Sequence, residues 1–566
     1  MHLSIMVRGS LIALAALSGT AAGMGHGMTK FKREIKLSAE LGIHPDILLA
    51  QRTSVAAVAE SSLNTKVDAE YISGTDKLQL PIDHGNHSVG FYQNRYWAST
   101  EHYKEGGPVF IYDVGEATAE TSAQTHLGNS SSFFYQMLEE FGGVGIVWEH
   151  RYYGDSLPYP INNNTPPEHF QYLNNRQALA DIPYFAQNFT RDSLKEIDLT
   201  SYAQPWVMVG GSYAGMRSAF TRNEYPDSIF ASFASSAPVQ AKIDMSVYFD
   251  QVYAGLVAYG YSNCTKDIKA ALEYIDEQLS RNQTSAAAIK KQFFGEGAEK
   301  NSHGDFTAAL TGIFNYFQSY GLGGGVAGLS SFCEHMESDG VTGRPAPPTG
   351  FARFRGKEYA AKRWASWPVF TELVNFNFET NCKQLDPSKE LSCILSAPAV
   401  DPDTISWTWQ YCDEWGYFQT INKGPHALLS KYQSLDYAQF VCNRQFPEAS
   451  KTGLLPKHPR TKETNRETGG WTIRPSNVYW SGGQFDPWRT LSPLATGDLA
   501  PQNVVFTTDI PACNVETEED SLFGYIMDNA EHCFDFRTSF EPGKVSRDHF
   551  HKALKEWLPC FKPTEH

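Results

Sequence analysis

The sequence predicts an α/β fold: a mostly parallel sheet covered by helices on both faces, with a large helical lobe inserted before the last strands. Three observations predict it. Short β-rich runs alternate with helix-compatible stretches between about residues 71 and 240, as expected of parallel strands joined by helical crossovers. One run, Trp206-Val-Met-Val, leads into Gly210-Gly-Ser-Tyr-Ala-Gly215 and then a helix-compatible segment from Met216 to Tyr225, which Pro226 stops; this is strand, sharp turn and helix in succession. Between about 241 and 469 the alternation gives way to long helical segments, and strand signals return only after it.

Taken in order, the chain opens on a cationic start ending at Arg8, an apolar stretch over 11–17 and small residues to Gly23. This reads as a signal peptide over 1–23, too short to span a membrane. Residues 24–66 are Ala/Ser-rich without a strand pattern and read as a leader or propeptide. The first part of the α/β domain, 67–240, carries strands over 78–84, 91–97, 106–112, 144–148, 206–209 and 228–233, with a helix over 176–188. The inserted cap, 241–469, carries helices over 246–259, 265–282 and 305–320, Gly-rich and Pro-rich links and most of the cysteines. The second part, 470–566, returns to strands at 477–481 and 503–507 and closes with a helix over 547–558. An insertion before the last strands of such a sheet places the cap over the strand C-termini, where α/β sheets keep their active sites.

Composition narrows the function class. With 47 basic against 63 acidic residues the net charge is −16, which argues against nucleic acid as a partner and favours solubility in an acidic or extracellular medium. Hydrophobic residues at 41% and charged residues at 19% fit an ordered globular protein. Sequons at Asn86, Asn129, Asn163, Asn188, Asn263 and Asn282 fit passage through a glycosylating compartment. Nine cysteines in an exported chain imply disulfides and one leftover thiol. Proximity suggests Cys382 with Cys393, Cys412 with Cys442 and Cys264 with Cys333, leaving Cys513, Cys533 and Cys560. No C-x-x-C spacing supports a zinc or redox site, and no metal or cofactor is implied.

The chemistry centres on Ser212. A glycine-flanked strand-to-helix turn is the nucleophile elbow of α/β-hydrolases, which lifts a serine Oγ above the sheet; the strict motif wants Gly at the position of Ala214. A serine needs an imidazole to take its proton and a carboxylate to orient that imidazole, in the chain order Ser, Asp/Glu, His. Asp486, in Gly482-Gly-Gln-Phe-Asp-Pro-Trp488, and His532, in Asn529-Ala-Glu-His-Cys-Phe-Asp535, stand in loops after late strands in that order. His549 and His551 compete as base, and Asp486 before Pro487 also reads as a turn aspartate. The oxyanion hole would use the N–H of Tyr213 and one from the loop after Tyr112, at Gly115 beside Glu116.

Together, Glu149-His-Arg-Tyr-Tyr-Gly154, Ser156-Leu-Pro158, Gln177-Ala-Leu-Ala-Asp181, Gly210-Gly-Ser-Tyr-Ala-Gly215, Ala234-Ser-Ser-Ala-Pro238, Gly483-Gln-Phe-Asp-Pro-Trp488 and Glu531-His532 resemble the prolyl carboxypeptidase and dipeptidyl-peptidase II family of secreted or lysosomal serine peptidases. Gly469-Gly-Trp471, Arg489 and Cys533 bring the chain nearest to its fungal secreted branch, which includes proline-specific endopeptidases. The resemblance implies an α/β-hydrolase fold with a cap and a triad of Ser212, Asp486 and His532, with Ala accepted at 214. It also implies secretion or a vacuolar-lysosomal lumen, peptide or protein substrates, and a monomer or homodimer without a membrane anchor. It further implies a proline pocket near Met216 and Trp488, with Phe536 where relatives often carry Trp, and an amine-binding role for Glu116. Tyr112-Asp-Val-Gly-Glu116-Ala departs from the family's usual Tyr-Thr-Gly-Asn-Glu-Gly. A similar cysteine in the fungal relatives makes Cys533 the expected free thiol, leaving Cys513 and Cys560 to bridge. Endopeptidase, carboxypeptidase and dipeptidyl-peptidase action are all compatible with this pattern, since the choice depends on how the variable cap closes the cleft. An esterase or lipase on the same fold, or a relative that only binds, are the alternative readings.

Overall fold

The computed structural model describes residues 29–46, 75–422 and 424–564. The expected signal peptide lies outside them, as do leader residues 24–28 and 47–66. A nine-stranded sheet forms the frame, ordered β1-β2-β4-β3-β5-β6-β9-β11-β10. Its strands are β1 (Asp76–Pro81), β2 (Phe91–Ser99), β3 (Val109–Asp113), β4 (Val144–Trp148), β5 (Trp206–Gly211), β6 (Ala231–Ser235), β9 (Val478–Gly483), β10 (Val505–Thr507) and β11 (Ser521–Met527). β1 and β2 pair antiparallel at one edge, β2 pairs antiparallel with β4, and every pair from β4 across to β10 is parallel.

The central strands are buried on both faces, so they read as continuous apolar runs rather than as alternation. Their side chains nevertheless divide with period two. Phe110, Tyr112, Val207 and Val209 enter a core with the helices Glu120–Gly128, Phe133–Phe141 and Glu541–Trp557. Val109, Ile111, Trp206 and Met208 enter a second core against the helix Asn175–Ala186. This is the α/β-hydrolase arrangement expected from the sequence.

The segment between β6 and β9 is the cap, built mostly of helices such as Val247–Ala258, Ser262–Arg281 and Pro402–Gln410. A small parallel pair, β7 (Lys242–Asp244) with β8 (Gly416–Phe418), joins the start of the cap to the segment after the helix Pro402–Gln410. Three disulfides sit in it, Cys264–Cys333, Cys382–Cys393 and Cys412–Cys442, while Cys513–Cys560 bridges the second part of the α/β domain and Cys533 is free and buried.

Two expectations change. The cap helix expected over 305–320 is broken into His303–Leu310, a tight turn over Thr311–Phe314 and Phe317–Tyr320, with Gly312 in the break. The strand at 503–507 is a short edge strand, and the loop carrying His532 follows β11, which inserts between it and β9. The leader carries a helix, Thr29–Glu40. The sequons at Asn86, Asn163, Asn188 and Asn282 are exposed, and those at Asn129 and Asn263 are half-buried.

Candidate active site

β5 ends at Gly211 and the next helix, Tyr213–Glu224, starts one residue later. Ser212 alone makes the turn, at φ 66° and ψ −130°, a conformation that costs a non-glycine residue of order 1–3 kcal/mol and persists only where the surroundings enforce it. They do so through Ser212 N–H, which donates to Ser235 O at 2.9 Å, and Ser212 O, which accepts from Met216 N–H at 3.1 Å. The flanking glycines are required by contact. A Cβ on Gly210 would lie 2.2 Å from Ala214 O, and one on Gly211 would lie 2.7 Å from the Phe536 ring and 2.9 Å from Cys533 Sγ. The elbow and the His532-Cys533 loop are therefore pressed together.

Asp486 and His532 meet as the sequence order predicts. His532 Nδ1 donates to Asp486 Oδ1 at 2.9 Å, with both side chains buried, and the loop is fixed by His532 N–H to Gln318 O and Cys533 N–H to Ser236 Oγ. Burial works against a charged imidazole, but the Asp486 carboxylate and the Cys533 thiol outweigh it and raise His532 above its ordinary range. Its Nε2 is buried with no hydrogen-bond partner among the described residues. The turn reading of Asp486 holds as well, since Oδ1 also accepts from Trp488 N–H at 2.9 Å. His549 and His551 lie elsewhere: His551 pairs with Glu140 at 2.6 Å and His549 packs on Tyr525.

Gly115 requires a correction as oxyanion donor, because its N–H already donates to Asp113 Oδ1 at 2.9 Å. Asp113 is held in turn by Arg217 Nε at 2.6 Å. With φ 77° and a would-be Cβ 3.3 Å from Ala214 Cβ, Gly115 lets the loop lie against the elbow. The next N–H in the loop is that of Glu116. The Glu116 side chain is half-buried beside a cavity of about 340 Å³, lined also by Lys36, Glu40, His126, Asp401 and Asp403.

Met216 and Trp488 belong to one apolar cluster. Tyr417 joins them, its hydroxyl on Met216 Sδ at 3.6 Å and its ring edge-on to Trp488 at 5.2 Å. Tyr248 closes on Trp488 from the cap at 6.0 Å, and Trp488 stands 6.4 Å from the His532 ring. Phe536 is not part of this wall. The tight turn Phe534–Phe536 folds it beneath the elbow, where it stacks on Phe133 at 4.2 Å in the opposite core.

Sequence reasoning missed the cap residues that hold these parts. Gln410 Nε2 donates to Tyr213 Oη at 2.6 Å and its Oε1 accepts from Tyr153 Oη. Tyr213 Oη in turn meets His150 Nε2 at 3.0 Å, and His150 Nδ1 donates to Arg151 O at 2.6 Å. Burial and the nearby Arg217 keep His150 neutral. Gln318 Oε1 accepts from Trp488 Nε1 at 2.8 Å. The 149–154 motif is structural by the same reasoning. Glu149 binds Arg95 Nε and Nη2 at 2.8 and 2.7 Å, and Arg151 binds Asp181 at 2.7 and 2.6 Å, all buried. Gln410 lies in Trp407-Thr-Trp-Gln-Tyr-Cys412, two residues before the disulfide-bonded Cys412.

The chain is similar to several known proteins. The chain is 28% identical over 450 residues to a probable extracellular serine carboxypeptidase of Arthroderma benhamiae, covering 74% of this chain and 59% of that protein's length. It is 25% identical over 493 residues to the human thymus-specific serine protease, covering 83% and 84%. It is 31% identical over 405 residues to prolyl carboxy peptidase like protein 5 of Caenorhabditis elegans, covering 70% and 75%. Among solved structures, the proline iminopeptidase of Mycobacterium smegmatis aligns over 84% of this chain and 98% of its own at 10% identity, with a TM-score of 0.28. The model describing serine carboxypeptidase S28 matches residues 81–508, most of the chain's length, and the chain belongs to that family.

Proposed function

We propose that this chain is a secreted serine peptidase that cleaves on the carboxyl side of proline through an acyl-enzyme on Ser212. The observation that carries the reading is a strained elbow serine against which the loop of an Asp486-bound imidazole with an unpartnered Nε2 is packed. In the reaction, Ser212 Oγ attacks the scissile carbonyl carbon while its proton passes to His532 Nε2. The N–H groups of Tyr213 and Glu116 hold the oxyanion. Collapse breaks the C–N bond as His532 returns the proton to the leaving nitrogen, and a water then hydrolyses the ester by the same exchange. Asp486 fixes the imidazole tautomer and stabilises its charged form.

Specificity for proline is supported by the wall of Met216, Trp488, Tyr417 and Tyr248, a buried and mostly apolar surface suited to a small ring without a backbone N–H. The names of the S28 relatives, which include a prolyl carboxy peptidase like protein, point the same way. Disulfides and the extracellular relative support a secreted or lumenal location. The test is fluorophosphonate labelling with peptide mapping, followed by a panel of proline peptides, alanine peptides and aryl esters read by mass spectrometry. Label on Ser212 and cleavage after proline are expected. Label elsewhere removes the nucleophile, and ester turnover without peptide cleavage makes the chain an esterase.

A further inference from the structure

The leader helix Thr29–Glu40 packs against the cap helix Pro402–Gln410 and lines a cavity together with Glu116. Ile35 is 1% exposed and enters the large apolar core that the cap shares with the α/β domain. The Lys36 ammonium lies among Glu40, Glu116, Asp113 and the Cys533 thiol, and so faces both the loop with the candidate oxyanion donor and the thiol beside the base. Glu40 is buried 3.7 Å from His126 Nε2, within the electrostatic reach of Arg537, Asp535 and His532. Leu37 lines the same cavity as Glu116, Asp401 and Asp403, so the helix touches the α/β domain and the cap at once.

The chain after the helix is fastened to the cap. Tyr320 Oη donates to Ile43 O at 3.1 Å, and Val326 N–H donates to Asp46 Oδ1 at 2.7 Å. In this arrangement Ser212 is 9% exposed, His532 5% and Asp486 0%. Lys36 and Glu40 thus stand between the Glu116 loop and the loop that carries His532 and Cys533.

We propose that the segment Thr29–Asp46 is an intramolecular inhibitor docked in the substrate cleft, so that the chain is closed as made and opens when this segment is displaced or cut away. The proposal rests on the peptidase reading. Because the occupant is tethered, its effective concentration at the cleft is high, and modest contacts suffice to hold the closed state. Its docking face joins an apolar anchor, Ile35, to a cation, Lys36, matched to the acidic loop, and to a buried carboxyl, Glu40, set beside the neutral His126 ring.

The experiment inserts the recognition sequence of a site-specific protease between residues 46 and 75 of the full chain. The rate of fluorophosphonate labelling of Ser212 is then measured before and after the cut, in the parent and in an Ile35→Asp background that weakens docking without cleavage. The intact parent is expected to label about tenfold or more slowly than the cut Ile35→Asp protein. Uncut Ile35→Asp should fall between them, and a synthetic peptide of residues 29–46 should slow the cut enzyme again. Near-ultraviolet circular dichroism establishes that each form is folded. Equal labelling of all folded forms overturns the inhibitor and leaves the peptidase reading intact. No labelling of Ser212 in any form overturns the peptidase reading and the inhibitor with it.

Discussion

Asp486 Oδ1 serves two donors at once, His532 Nδ1 and Trp488 N–H. Orientation of the base and the shape of the candidate proline wall are therefore set by one oxygen. Replacing Asp486 with Asn keeps an acceptor for Trp488 but removes the charge that holds His532 up. Asp486→Asn should fold normally, lower the His532 pKa and reduce turnover by roughly 10⁴-fold, which pre-steady-state acylation and NMR titration of the imidazole would measure. A turnover close to the parent's would remove Asp486 from the catalytic unit. Trp488 tests specificity. Its ring is 9% exposed and faces Tyr417 and Tyr248, and one or two methylenes of pocket contact are worth about 1–3 kcal/mol. Trp488→Ala should then cut the preference for proline over alanine about tenfold or more, with ester hydrolysis less affected. Equal losses on all three substrates would make Trp488 a support for the Asp486 loop.

Contacts between elements explain both what could be read from the sequence and what could not. The elbow was legible because its chemistry is local: an apolar strand, small residues where backbone approaches backbone, and a helix at once after the serine. Strands β3, β4 and β5 were legible as apolar runs between turn residues. β11 was not, although the base loop hangs from it. Its run Ser521-Leu-Phe-Gly-Tyr-Ile-Met527 has a glycine in the middle, which reads as a break, yet that glycine is there because a Cβ would meet Trp480 O at 2.7 Å on the neighbouring strand. Phe536 misled for a similar reason: spacing from His532 gives no sign that a tight turn folds the ring under Gly211. The cap's hold on the elbow was also hidden, since Gln410 is 197 residues from Tyr213. Its amide bridges Tyr153 and Tyr213 with no solvent to replace it. Gln410→Leu should take one hydrogen bond from Tyr213 Oη, which keeps His150 Nε2, and one from Tyr153 Oη, costing about 1–3 kcal/mol in all. Thermal unfolding should show a lowered midpoint, and Gln410→Glu should recover part of the loss because it keeps the acceptor for Tyr153. An unchanged midpoint in Gln410→Leu would mean the cap is held by its apolar contacts alone.

At the scale of the whole molecule, buried acids set how stability depends on pH. Burial pushes the Glu531 carboxyl up to about 8 and Glu40 up to about 7, against an unfolded value near 4.3. Between those limits the folded chain holds protons that the unfolded chain has lost, so these two groups favour folding less as pH rises. His532 acts in the same direction, because its folded pKa is raised and its contribution fades as pH climbs above the unfolded value of about 6.5. His126, which burial lowers to about 3, and His150, which burial and Arg217 hold neutral, act oppositely, but only below about 6.5, where the unfolded chain takes up protons that they refuse. Above pH 6.5 nothing in this set opposes the loss. The thermal unfolding midpoint should therefore fall as pH is raised from about 6.5 to 8, with each titrating carboxyl contributing a slope of up to ~1.4 kcal/mol per pH unit. Glu531→Gln should flatten the fall, since the amide keeps the size of the group and can still accept from Tyr259 Oη, which now donates to Glu531 Oε1 at 3.2 Å. Calorimetry across that range decides the matter: a midpoint that rises with pH, or a Glu531→Gln protein with the parent's slope, would mean that the buried acids are ionised in the folded chain and stabilised by Arg537 instead.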